Sequence, residues 1–407
     1  MKLWILPLMA VLAAPAGPEA GRVWPGFRGD GSSHTRARTL PLHWSAEENL
    51  AWQVELPGTG QSSPVIWQDR IFVTAIAGEM QDRLLVRCVA LSTGKTLWEK
   101  EFKGSQGVKT SDYVAKAAPT PVVDGERVYL FFETGDLLAL THAGEPVWQR
   151  SLVRDYGAIR SNHGLGSSPV LSKAGLLLFV THDGGAYLLN VNPKTGENRW
   201  KREHPFGAGW ATPLVAEHGG RSMVLVSSSG RVDSLDLETG APVWNLKGLK
   251  GNTVPSPSVA DDVAVIGSSE PGSTLAVGLG GQGEVPAEKV IWRQPEVNCS
   301  FGSPLVHQGY VYFSNMAGVA YCLELATGNV VWDTRLTASS WSSPLAAGDR
   351  VYFFDTKGGA LVVKTGPKLE KLAENRIPVE GRVYGMAAVD GAIVFRTDNR
   401  LFRIGKP

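Results

Sequence analysis

A glycine followed four residues later by a tryptophan recurs along the chain and limits its possible folds more than any other feature. The segment before each glycine alternates apolar and polar residues, as a half-buried strand does. Glycine supplies the positive φ of a tight turn, and a returning strand carries the tryptophan. We therefore predict a hairpin in every repeat, with an indole that covers the neighbouring unit. The clear pairs are Gly94/Trp98, Gly144/Trp148, Gly196/Trp200, Gly240/Trp244 and Gly328/Trp332.

A Ser-Pro or Thr-Pro dipeptide alternates with these pairs at a period of about 47 residues. Proline is tolerated at the first residue of a strand, where no ladder donor is lost. A second apolar strand follows most of the dipeptides, as in Arg127–Phe132 and Arg350–Phe354, so each unit holds four strands. The seven dipeptides begin at Ser63, Thr120, Ser168, Thr212, Ser256, Ser303 and Ser343.

Four-stranded units with this period predict a β-propeller, because each blade buries its faces only against its neighbours. Ala388 lies about one period after Pro344 and marks an eighth start. The last unit ends near Ile404 without an outer tryptophan strand, whereas Asn49–Glu55 is such a strand ahead of the first unit. We predict an all-β fold, an eight-bladed β-propeller of four-stranded antiparallel blades whose N-terminal strand closes the last blade.

The repeated tryptophans are assigned to packing between blades rather than to ligand binding, because their periodic placement on outer strands follows the architecture. The seven that we expect in this structural role are Trp52, Trp98, Trp148, Trp200, Trp244, Trp292 and Trp332.

Charge and cysteine content exclude several classes of protein. The 407 residues carry a formal charge of +1 and only 19% are charged, so no basic field is available for nucleic acid. Cys88, Cys299 and Cys322 are too few for a disulfide framework. We expect buried free thiols, with a Cys299–Cys322 bridge as the alternative.

The N-terminus has the pattern of a secretory signal. Lys2 precedes a short apolar stretch, and Ala14-Pro15-Ala16 is a small-residue cleavage site. We predict a signal peptide over 1–16, with cleavage as late as residue 20 in one alternative, an extension over 17–48 and a propeller over 49–407. The expected location is periplasmic or secreted, without stable membrane insertion after cleavage; an uncleaved anchor is the alternative.

In a propeller, the segments just before the inner strands meet at the mouth of the central channel. Polar donors and aromatic faces alternate at these positions, which predicts either a concave ligand site or a water-filled structural funnel. The candidate ligand-binding residues are Lys116, Arg160, Asn162, His163, Trp210, Asn298, Trp341 and Tyr384, with Gln61 and Thr253 at equivalent positions. We assign no catalytic residue and no metal ligand.

Common catalytic motifs give no support for a standard enzyme. Gly278–Gly283 matches the dinucleotide-binding glycine pattern in letters only, because no β-α-β unit surrounds it, and a hairpin loop is expected. The sequence contains no P-loop, zinc-protease or nucleophile-elbow motif. Standard nucleotide, zinc and hydrolase chemistry therefore lacks support.

The repeat Leu235-Asp-Leu-Glu-Thr-Gly-Ala-Pro-Val-Trp244 resembles the pyrroloquinoline quinone (PQQ)-type β-propeller repeat, and the likeness extends over residues 49 to 405. Trp24-Pro-Gly-Phe-Arg-Gly29 is similar to the segment that opens many secreted bacterial members of this family. The resemblance implies one of two functions: protein binding, as in the outer-membrane barrel-assembly lipoproteins, or quinone-dependent oxidation, as in the quinoprotein dehydrogenases.

This chain departs from both branches of the family. It lacks the vicinal cysteines and the haem-attachment motif of some of the dehydrogenases, and it lacks the lipidated cysteine of the assembly factors. The candidate ring offers no acidic cluster for Ca²⁺. We therefore predict an exported non-catalytic scaffold that binds a protein or an extracellular polymer and needs no cofactor. The alternative is an alcohol or sugar dehydrogenase with PQQ and Ca²⁺ in the funnel.

Overall fold

Long apolar runs in the described part of the chain form strands that are buried on both faces, as in Arg70–Ala77 and Arg83–Ala90. The structure is a computed structural model, and it describes residues 20–37, 39–109, 115–203 and 207–406. The middle strands of each sheet are buried along nearly their whole length, whereas outer strands such as Thr96–Lys103 alternate between half-buried and exposed residues. This difference arises because sheets stack face to face around a common axis, and each covers its neighbours.

The strands are numbered in chain order. Before the first blade come β1 (Val23–Trp24) and β2 (Leu50–Glu55). Blade 1 contains β3 (Val65–Trp67), β4 (Arg70–Ala77), β5 (Arg83–Ala90) and β6 (Thr96–Lys103). Blade 2 contains β7 (Val122–Val123), β8 (Arg127–Phe131), β9 (Asp136–Thr141) and β10 (Pro146–Ser151). Blade 3 contains β11 (Val170–Ser172), β12 (Gly175–His182), β13 (Gly185–Val191) and β14 (Asn198–Glu203). Blade 4 contains β15 (Leu214–His218), β16 (Arg221–Ser228), β17 (Arg231–Asp236) and β18 (Pro242–Lys247).

The second half of the chain continues the pattern. Blade 5 contains β19 (Ser258–Ala260), β20 (Val263–Ile266), β21 (Thr274–Gly278) and, after the short β22 (Gly283–Glu284), β23 (Val290–Gln294). Blade 6 contains β24 (Leu305–His307), β25 (Tyr310–Ser314), β26 (Val319–Glu324) and β27 (Val330–Arg335). Blade 7 contains β28 (Leu345–Ala347), β29 (Arg350–Phe354), β30 (Gly359–Lys364) and β31 (Lys371–Arg376). Blade 8 contains β32 (Gly385–Val389), β33 (Ala392–Arg396) and β34 (Arg400–Ile404). The helical elements among the described residues are α1 (Leu152–Tyr156) and two single 3₁₀ turns, Ala20–Arg22 and Ala287–Lys289.

The ring closes as the sequence predicts. Strand β2 pairs antiparallel with β34, from Leu50 opposite Ile404 to Glu55 opposite Arg400, and supplies the fourth strand of blade 8. One detail of this blade differs from the prediction. Ala388 lies inside the first strand instead of opening it, because the turn at Asp390-Gly391 follows it and Gly391 adopts a φ of 72°. The eight-bladed, four-stranded architecture is therefore confirmed.

Two sheets gain a fifth strand. Strand β1 pairs antiparallel with β3, the innermost strand of blade 1. Strand β22 lies in the loop of blade 5 and adds in parallel to β18, the outer strand of blade 4. The glycine-rich segment that holds it is therefore a loop with an edge strand, and no β-α-β unit surrounds it.

The repeated tryptophans bridge neighbouring blades. In five of the seven junctions, an ideal Cβ on the turn glycine of the next blade would lie within 3 Å of the indole, as Gly94 does with Trp52 and Gly144 with Trp98. The glycine therefore provides both the positive φ of the turn and the space for the ring. Six of the indole N–H groups donate to a backbone carbonyl of the next blade, at 2.7–3.2 Å. Trp200 packs on Gly240 in the same way, but its N–H has no partner among the described residues.

Blade 7 has no outer tryptophan, and the extension before β2 covers part of it instead. Trp44 is buried and stacks on Tyr352 and Phe354, with ring centroids 6.5 and 6.2 Å apart. The side chain of Asn375 accepts from the Trp44 backbone N–H and donates to the Leu42 carbonyl. The three cysteines, Cys88, Cys299 and Cys322, are free thiols and all are buried.

Candidate functional site

The loops that join each outer strand to the next inner strand meet at one end of the central channel and enclose a cavity of about 350 Å³. The segment Trp24–Ser33 closes the channel below this cavity, so the cavity is a blind funnel. Aromatic side chains dominate its surface, namely Trp24, Phe27, Trp210, Phe301, Trp341 and Tyr384. Gln61, His163 and Asn252 add polar groups.

A ring of hydroxyl groups surrounds the channel between the blades. In six of the seven Ser/Thr-Pro dipeptides, the serine or threonine donates its backbone N–H to the hydroxyl of the equivalent residue in the next blade. The six hydrogen bonds run Ser63 to Thr120, Thr120 to Ser168, Ser168 to Thr212, Thr212 to Ser256, Ser256 to Ser303 and Ser303 to Ser343, at 2.8–3.0 Å. These dipeptides therefore connect the inner strands as well as starting them.

The hydroxyl ring closes at blade 8 through a glycine. A Cβ at Gly385 would lie 2.0 Å from the Ser63 hydroxyl, so no side chain fits there. Beside this junction, the buried Arg396 of blade 8 donates to the Ser62 hydroxyl and to the Thr74 carbonyl of blade 1. Burial lowers the pKa of Arg396 to about 10. Blades 8 and 1 are thus joined by a desolvated guanidinium as well as by strand β2.

The floor of the funnel comes from the N-terminal segment. Strand β1 lies along β3 inside the channel, and Pro25 accepts a hydrogen bond from the Val123 backbone N–H of blade 2. The chain then turns back and pairs with Ala346 of blade 7: the Thr35 N–H donates to the Ala346 carbonyl, and the Ala346 N–H donates to the Ser33 carbonyl. We refer to residues 23–35 as the channel segment.

Arg28 anchors the channel segment. Its guanidinium donates to the Pro257 carbonyl at 3.1 Å, to the Pro304 carbonyl at 2.9 Å and to the hydroxyls of Ser33 and Ser258 at 2.8 and 2.6 Å. Burial lowers the pKa of Arg28 to about 10. Because these donors are already engaged, Arg28 closes the channel and offers little to a ligand.

The predicted ligand-binding residues fall into two groups. His163, Trp210, Trp341 and Tyr384 line the cavity, whereas Lys116, Arg160, Asn162 and Asn298 lie on the same loops outside its lining. Lys116 and Gln61 exchange hydrogen bonds between their loops, with the Lys116 backbone N–H donating to the Gln61 side chain at 3.2 Å. Asn298 donates its side-chain amide to the Ser269 carbonyl at 2.8 Å. Arg160 and Asn162 are exposed at the rim.

Three aromatic side chains from blades 6 to 8 form one wall. Phe301 stacks on Trp341 at 4.4 Å, and Tyr384 meets the edge of the same indole at 6.3 Å. The exposed Arg382 guanidinium lies 4.5 Å from the Trp341 ring centroid. A phenyl ring and a guanidinium therefore already cover Trp341.

The hydroxyl of Tyr384 donates to the Asp398 carboxylate at 3.0 Å, and the Gln61 side chain donates to it at 3.4 Å. Burial and the neighbouring Asp398 raise the pKa of Tyr384 to about 12. On the opposite wall, Trp210 donates its indole N–H to the Gly164 carbonyl and meets the His163 ring edge-on at 5.6 Å.

The donor set of the funnel does not fit a bound Ca²⁺. Ca²⁺ takes six to eight oxygen ligands, with several carboxylates among them. No described aspartate or glutamate lines the cavity, and Asp398 is engaged by Tyr384. Glu133 accepts from the Ala118 backbone N–H, and burial raises its pKa to about 7. Across residues 20–37, 39–109, 115–203 and 207–406, no group of three or more His, Cys, Asp or Glu side chains is placed to hold a metal ion.

Sequence reasoning missed two contributions to the funnel. The motif Trp24–Gly29 was recognised, but its place inside the channel was not. Phe301 was also missed, although it lies three residues after the candidate Asn298 and next to Trp341 in space. An aromatic residue just before a Ser-Pro dipeptide is the signal that could have identified it. The predicted signal peptide, 1–16, lies outside the described residues. None of the helices in the described part of the chain has the length and apolar character to cross a bilayer.

Known proteins share both the fold and parts of the sequence. The chain is 24% identical over 288 residues to the outer membrane protein assembly factor BamB of Shewanella oneidensis, which covers 64% of this chain and 69% of that protein. It is 24% identical to BamB of Yersinia pestis over 285 residues, 65% of this chain and 68% of that protein.

Solved structures show the same propeller. BamB from Moraxella catarrhalis superposes with a TM-score of 0.62 at 16% identity, over 87% of this chain and 96% of that one. A europium-containing methanol dehydrogenase gives a TM-score of 0.69 at 11% identity, over 93% and 90%. At such identities the likeness demonstrates a shared fold alone. The sequence match is more specific, because the family described as outer membrane protein assembly factor BamB matches residues 27–161 and 143–397, and the chain belongs to this family.

Proposed function

We propose that this chain is an exported scaffold that binds other proteins through the funnel face and catalyses no reaction. The observation that carries the proposal is the lining of the funnel, which is rich in aromatic rings and contains no carboxylate among its described residues. Tryptophan, tyrosine, phenylalanine and arginine are the residues that dominate protein-binding surfaces. The same described lining offers no carboxylate to act as the base of an oxidation.

The names of the relatives also favour a protein-binding function. Their names describe assembly factors for outer membrane proteins. By analogy, the partner of this chain is a protein of the outer-membrane assembly process, and its place of action is the periplasm. A protein partner is favoured over an extracellular polymer because no relative named above is a polymer-binding protein.

Quinone-dependent oxidation is the less supported alternative. The propeller is shared with dehydrogenases such as the quinohemoprotein alcohol dehydrogenase from Comamonas testosteroni, with a TM-score of 0.64 at 12% identity over 95% of this chain and 81% of that one. Fold likeness at this identity does not transfer chemistry. None of the described lining residues is a carboxylate that could bind Ca²⁺. Trp341 is already covered by Phe301 and Arg382, which leaves it a poor platform for a planar ring.

A deletion and complementation experiment tests the proposal. Deleting the gene is expected to lower the amount of folded barrel proteins in the outer membrane, as measured by quantitative mass spectrometry of that membrane. Wild-type protein should restore them, whereas Asn252→Phe, which fills the mouth of the funnel from an exposed position, should restore them poorly.

The matched control is Lys95→Glu, an exposed substitution in a turn between β5 and β6, and it should restore the barrel proteins fully. An unchanged outer membrane after deletion would reject the scaffold function. Dye-linked dehydrogenase activity that requires both added PQQ and Ca²⁺ would reject the statement that the protein is not catalytic.

A further inference from the structure

The size and shape of the funnel limit what it can hold. At about 350 Å³ the cavity is near the small end of the range of ligand pockets. The channel segment closes it from below, with Phe27 and Arg28 in its lining. A blind pocket of this size admits one bulky side chain or a small ligand, but not an extended chain passing through.

The lining selects an apolar ring. Phe27, Trp210, Phe301, Trp341 and Tyr384 all line the cavity, and edge-to-face or offset contacts between rings are favourable. The hydroxyls of Thr212 and Ser256 in the lining already accept backbone hydrogen bonds. Arg28 has its donors engaged, so a carboxylate deep in the pocket would gain little from it.

The rim around the pocket carries four cationic side chains that form no ion pair with a described carboxylate. Lys116, Arg160, Lys250 and Arg382 lie on four different inter-blade loops, and none forms an ion pair with any described residue. Among the described carboxylates on these four loops, Asp155 pairs with Arg150 at 2.6 Å, and Glu380 forms no ion pair with a described residue.

Many cations elsewhere are matched. On the outer strands Arg83 pairs with Glu101 at 2.8 Å, and Lys247 pairs with Glu284 at 2.6 Å. The unpaired rim cations therefore provide a positive surface that an acidic partner would complement.

We propose that the funnel mouth binds a polypeptide segment in which an aromatic side chain is flanked by acidic residues. The ring enters the pocket between Trp210 and the Phe301–Trp341 pair, and the flanking carboxylates approach Lys116, Arg160, Lys250 and Arg382. The inference rests on the proposed scaffold function and specifies the chemistry of the partner at the funnel. The channel segment is part of this site, because Phe27 forms its floor.

Synthetic peptides test this assignment on the full-length protein. The probe is acetyl-Asp-Glu-Phe-Glu-Asp-amide, titrated into the protein while the intrinsic tryptophan fluorescence is recorded, with calorimetry as an independent readout. Replacing the phenylalanine of the peptide by alanine, or its four acidic residues by lysine, should weaken binding at least tenfold. Raising the salt concentration should also weaken binding, because the rim cations are exposed.

Variants of the protein locate the site. The double substitution Arg160→Glu with Lys250→Glu should weaken binding about tenfold, because two attractive charge contacts are lost and the reversed charges repel the acidic residues of the peptide. Asn252→Phe should block the pocket. Lys95→Glu, an exposed charge reversal of the same kind away from the mouth, should leave the Kd unchanged. Thermal melts of each variant confirm that it is folded.

Several outcomes would overturn the assignment. Equal binding of the alanine peptide, preference for the lysine peptide, or equal effects of Lys95→Glu and the rim variant would each do so. Another result would point to a different ligand. If the phenylalanine peptide does not bind, while polygalacturonate binds in a salt-sensitive way that Asn252→Phe leaves unchanged, the rim binds an anionic polymer and the peptide assignment is wrong. If no peptide binds while deletion still depletes outer-membrane barrels, this inference fails and the scaffold function stands. If the peptide binds but deletion has no effect on the outer membrane, the binding site is supported and the proposed scaffold function is rejected.

Discussion

A single repeated residue, the outer-strand tryptophan, joins neighbouring blades in two ways. Its ring covers the turn glycine of the next blade, and its N–H donates to a carbonyl there. Trp244 has the hydrogen bond: it is 1% exposed and donates to the Leu279 carbonyl at 2.8 Å, whereas a Cβ on the nearest glycine, Gly281, would lie 3.9 Å from its ring. Trp200 has the ring contact with Gly240, but its N–H has no partner among the described residues. A comparison of Trp244 with Trp200 therefore separates the contribution of the hydrogen bond to stability from that of ring packing.

We expect Trp244→Ala to lower the free energy of unfolding by about 3–5 kcal/mol, because it leaves a cavity between blades. Trp244→Phe should cost less, about 1–3 kcal/mol, mainly through the carbonyl that loses its donor. Trp200→Phe is the control and should cost less than Trp244→Phe, since no hydrogen bond is lost. Chemical denaturation measures all three, and a loss below about 1 kcal/mol for Trp244→Ala would contradict the packing role.

Glu133 makes stability depend on pH. Burial raises its pKa to about 7, so the fold favours the neutral carboxyl group. Its contribution is present below the pKa of the unfolded chain, near 4.5, and is lost as the pH rises through about 7. Relative to Glu133→Gln, wild-type protein should lose up to about 3 kcal/mol of unfolding free energy between pH 4 and pH 8. The exposed Glu238→Gln should follow the wild-type curve, and parallel curves for wild type and Glu133→Gln would refute the shift.

At the scale of elements, the hydroxyl ring holds the inner strands together where they are shortest. Ser256→Ala removes the acceptor of the Thr212 N–H and should cost about 1–3 kcal/mol, because a buried donor is left without a partner. Ser256→Thr should cost less, since threonine already occupies two positions of the ring. Ser227→Ala is the matched control, because the Ser227 hydroxyl is buried and has no partner in the described part of the chain. Thermal or chemical denaturation in which Ser256→Ala and Ser227→Ala behave alike would rule out the stabilising role of the ring.

The channel segment is held at its far end by a histidine pair. His34 Nε2 lies 3.0 Å from His307 Nδ1, and His307 Nε2 lies 2.9 Å from the Gly348 carbonyl. Because a carbonyl only accepts, His307 donates through Nε2 and accepts from His34 through Nδ1. Burial lowers the pKa of both rings, and for His34 the neighbouring His307 and Arg28 lower it further while Asp30 opposes them. Both rings are therefore favoured in the neutral form, and protonation of His307 removes the acceptor.

Acid should therefore loosen the channel segment. A lowered pKa means that the contribution of the pair is present above about pH 6.5 and is lost as the pH falls below it. We expect residues 23–35 to lose hydrogen-exchange protection at pH 5 relative to pH 7.5, after correction for intrinsic rates. His34→Gln, which keeps a donor but does not titrate, should lose less protection on acidification. His182→Gln, a change at a half-buried histidine in blade 3 away from the segment, should match wild type. Identical pH dependence in His34→Gln would exclude the histidine pair as the cause.

For the whole molecule, the sequence predicts the features that repeat. The eight blades, their four strands and the closing role of Asn49–Glu55 follow from local alternation and from a constant period. The floor of the funnel does not repeat, and its contacts are remote in sequence, since Arg28 meets the Pro304 carbonyl 276 residues away. The hydroxyl ring was visible as Ser/Thr-Pro dipeptides, but its links exist only once neighbouring blades are side by side. Only half of the predicted ligand-binding residues line the funnel, because sequence position along a loop does not reveal where its side chains point.

Two truncations separate ring closure from channel filling. A chain beginning at residue 40 keeps β2 but loses the channel segment, whereas a chain beginning at residue 60 loses both. The shorter chain leaves β34 with an exposed edge and should melt at least about 5 °C below the longer one, and it should aggregate. Calorimetry and size-exclusion chromatography measure both effects. Equal melting temperatures for the two truncated chains would mean that β2 contributes little to closing the propeller.

The way blade 8 is completed also decides how the molecule responds to force. Strands β2 and β34 are antiparallel, and the first residue of β2, Leu50, lies opposite the last residue of β34, Ile404. The segment before β2 and the segment after β34 therefore leave the sheet at the same end. Tension applied to the two ends of the molecule would first pull on the channel segment and then open this pair one hydrogen bond at a time, like a zipper. A sheet loaded in shear would have to break its hydrogen bonds together. Closure of the ring by β2 is expected to raise the melting temperature. The same pair of strands should nevertheless open at low force when the molecule is stretched from its ends.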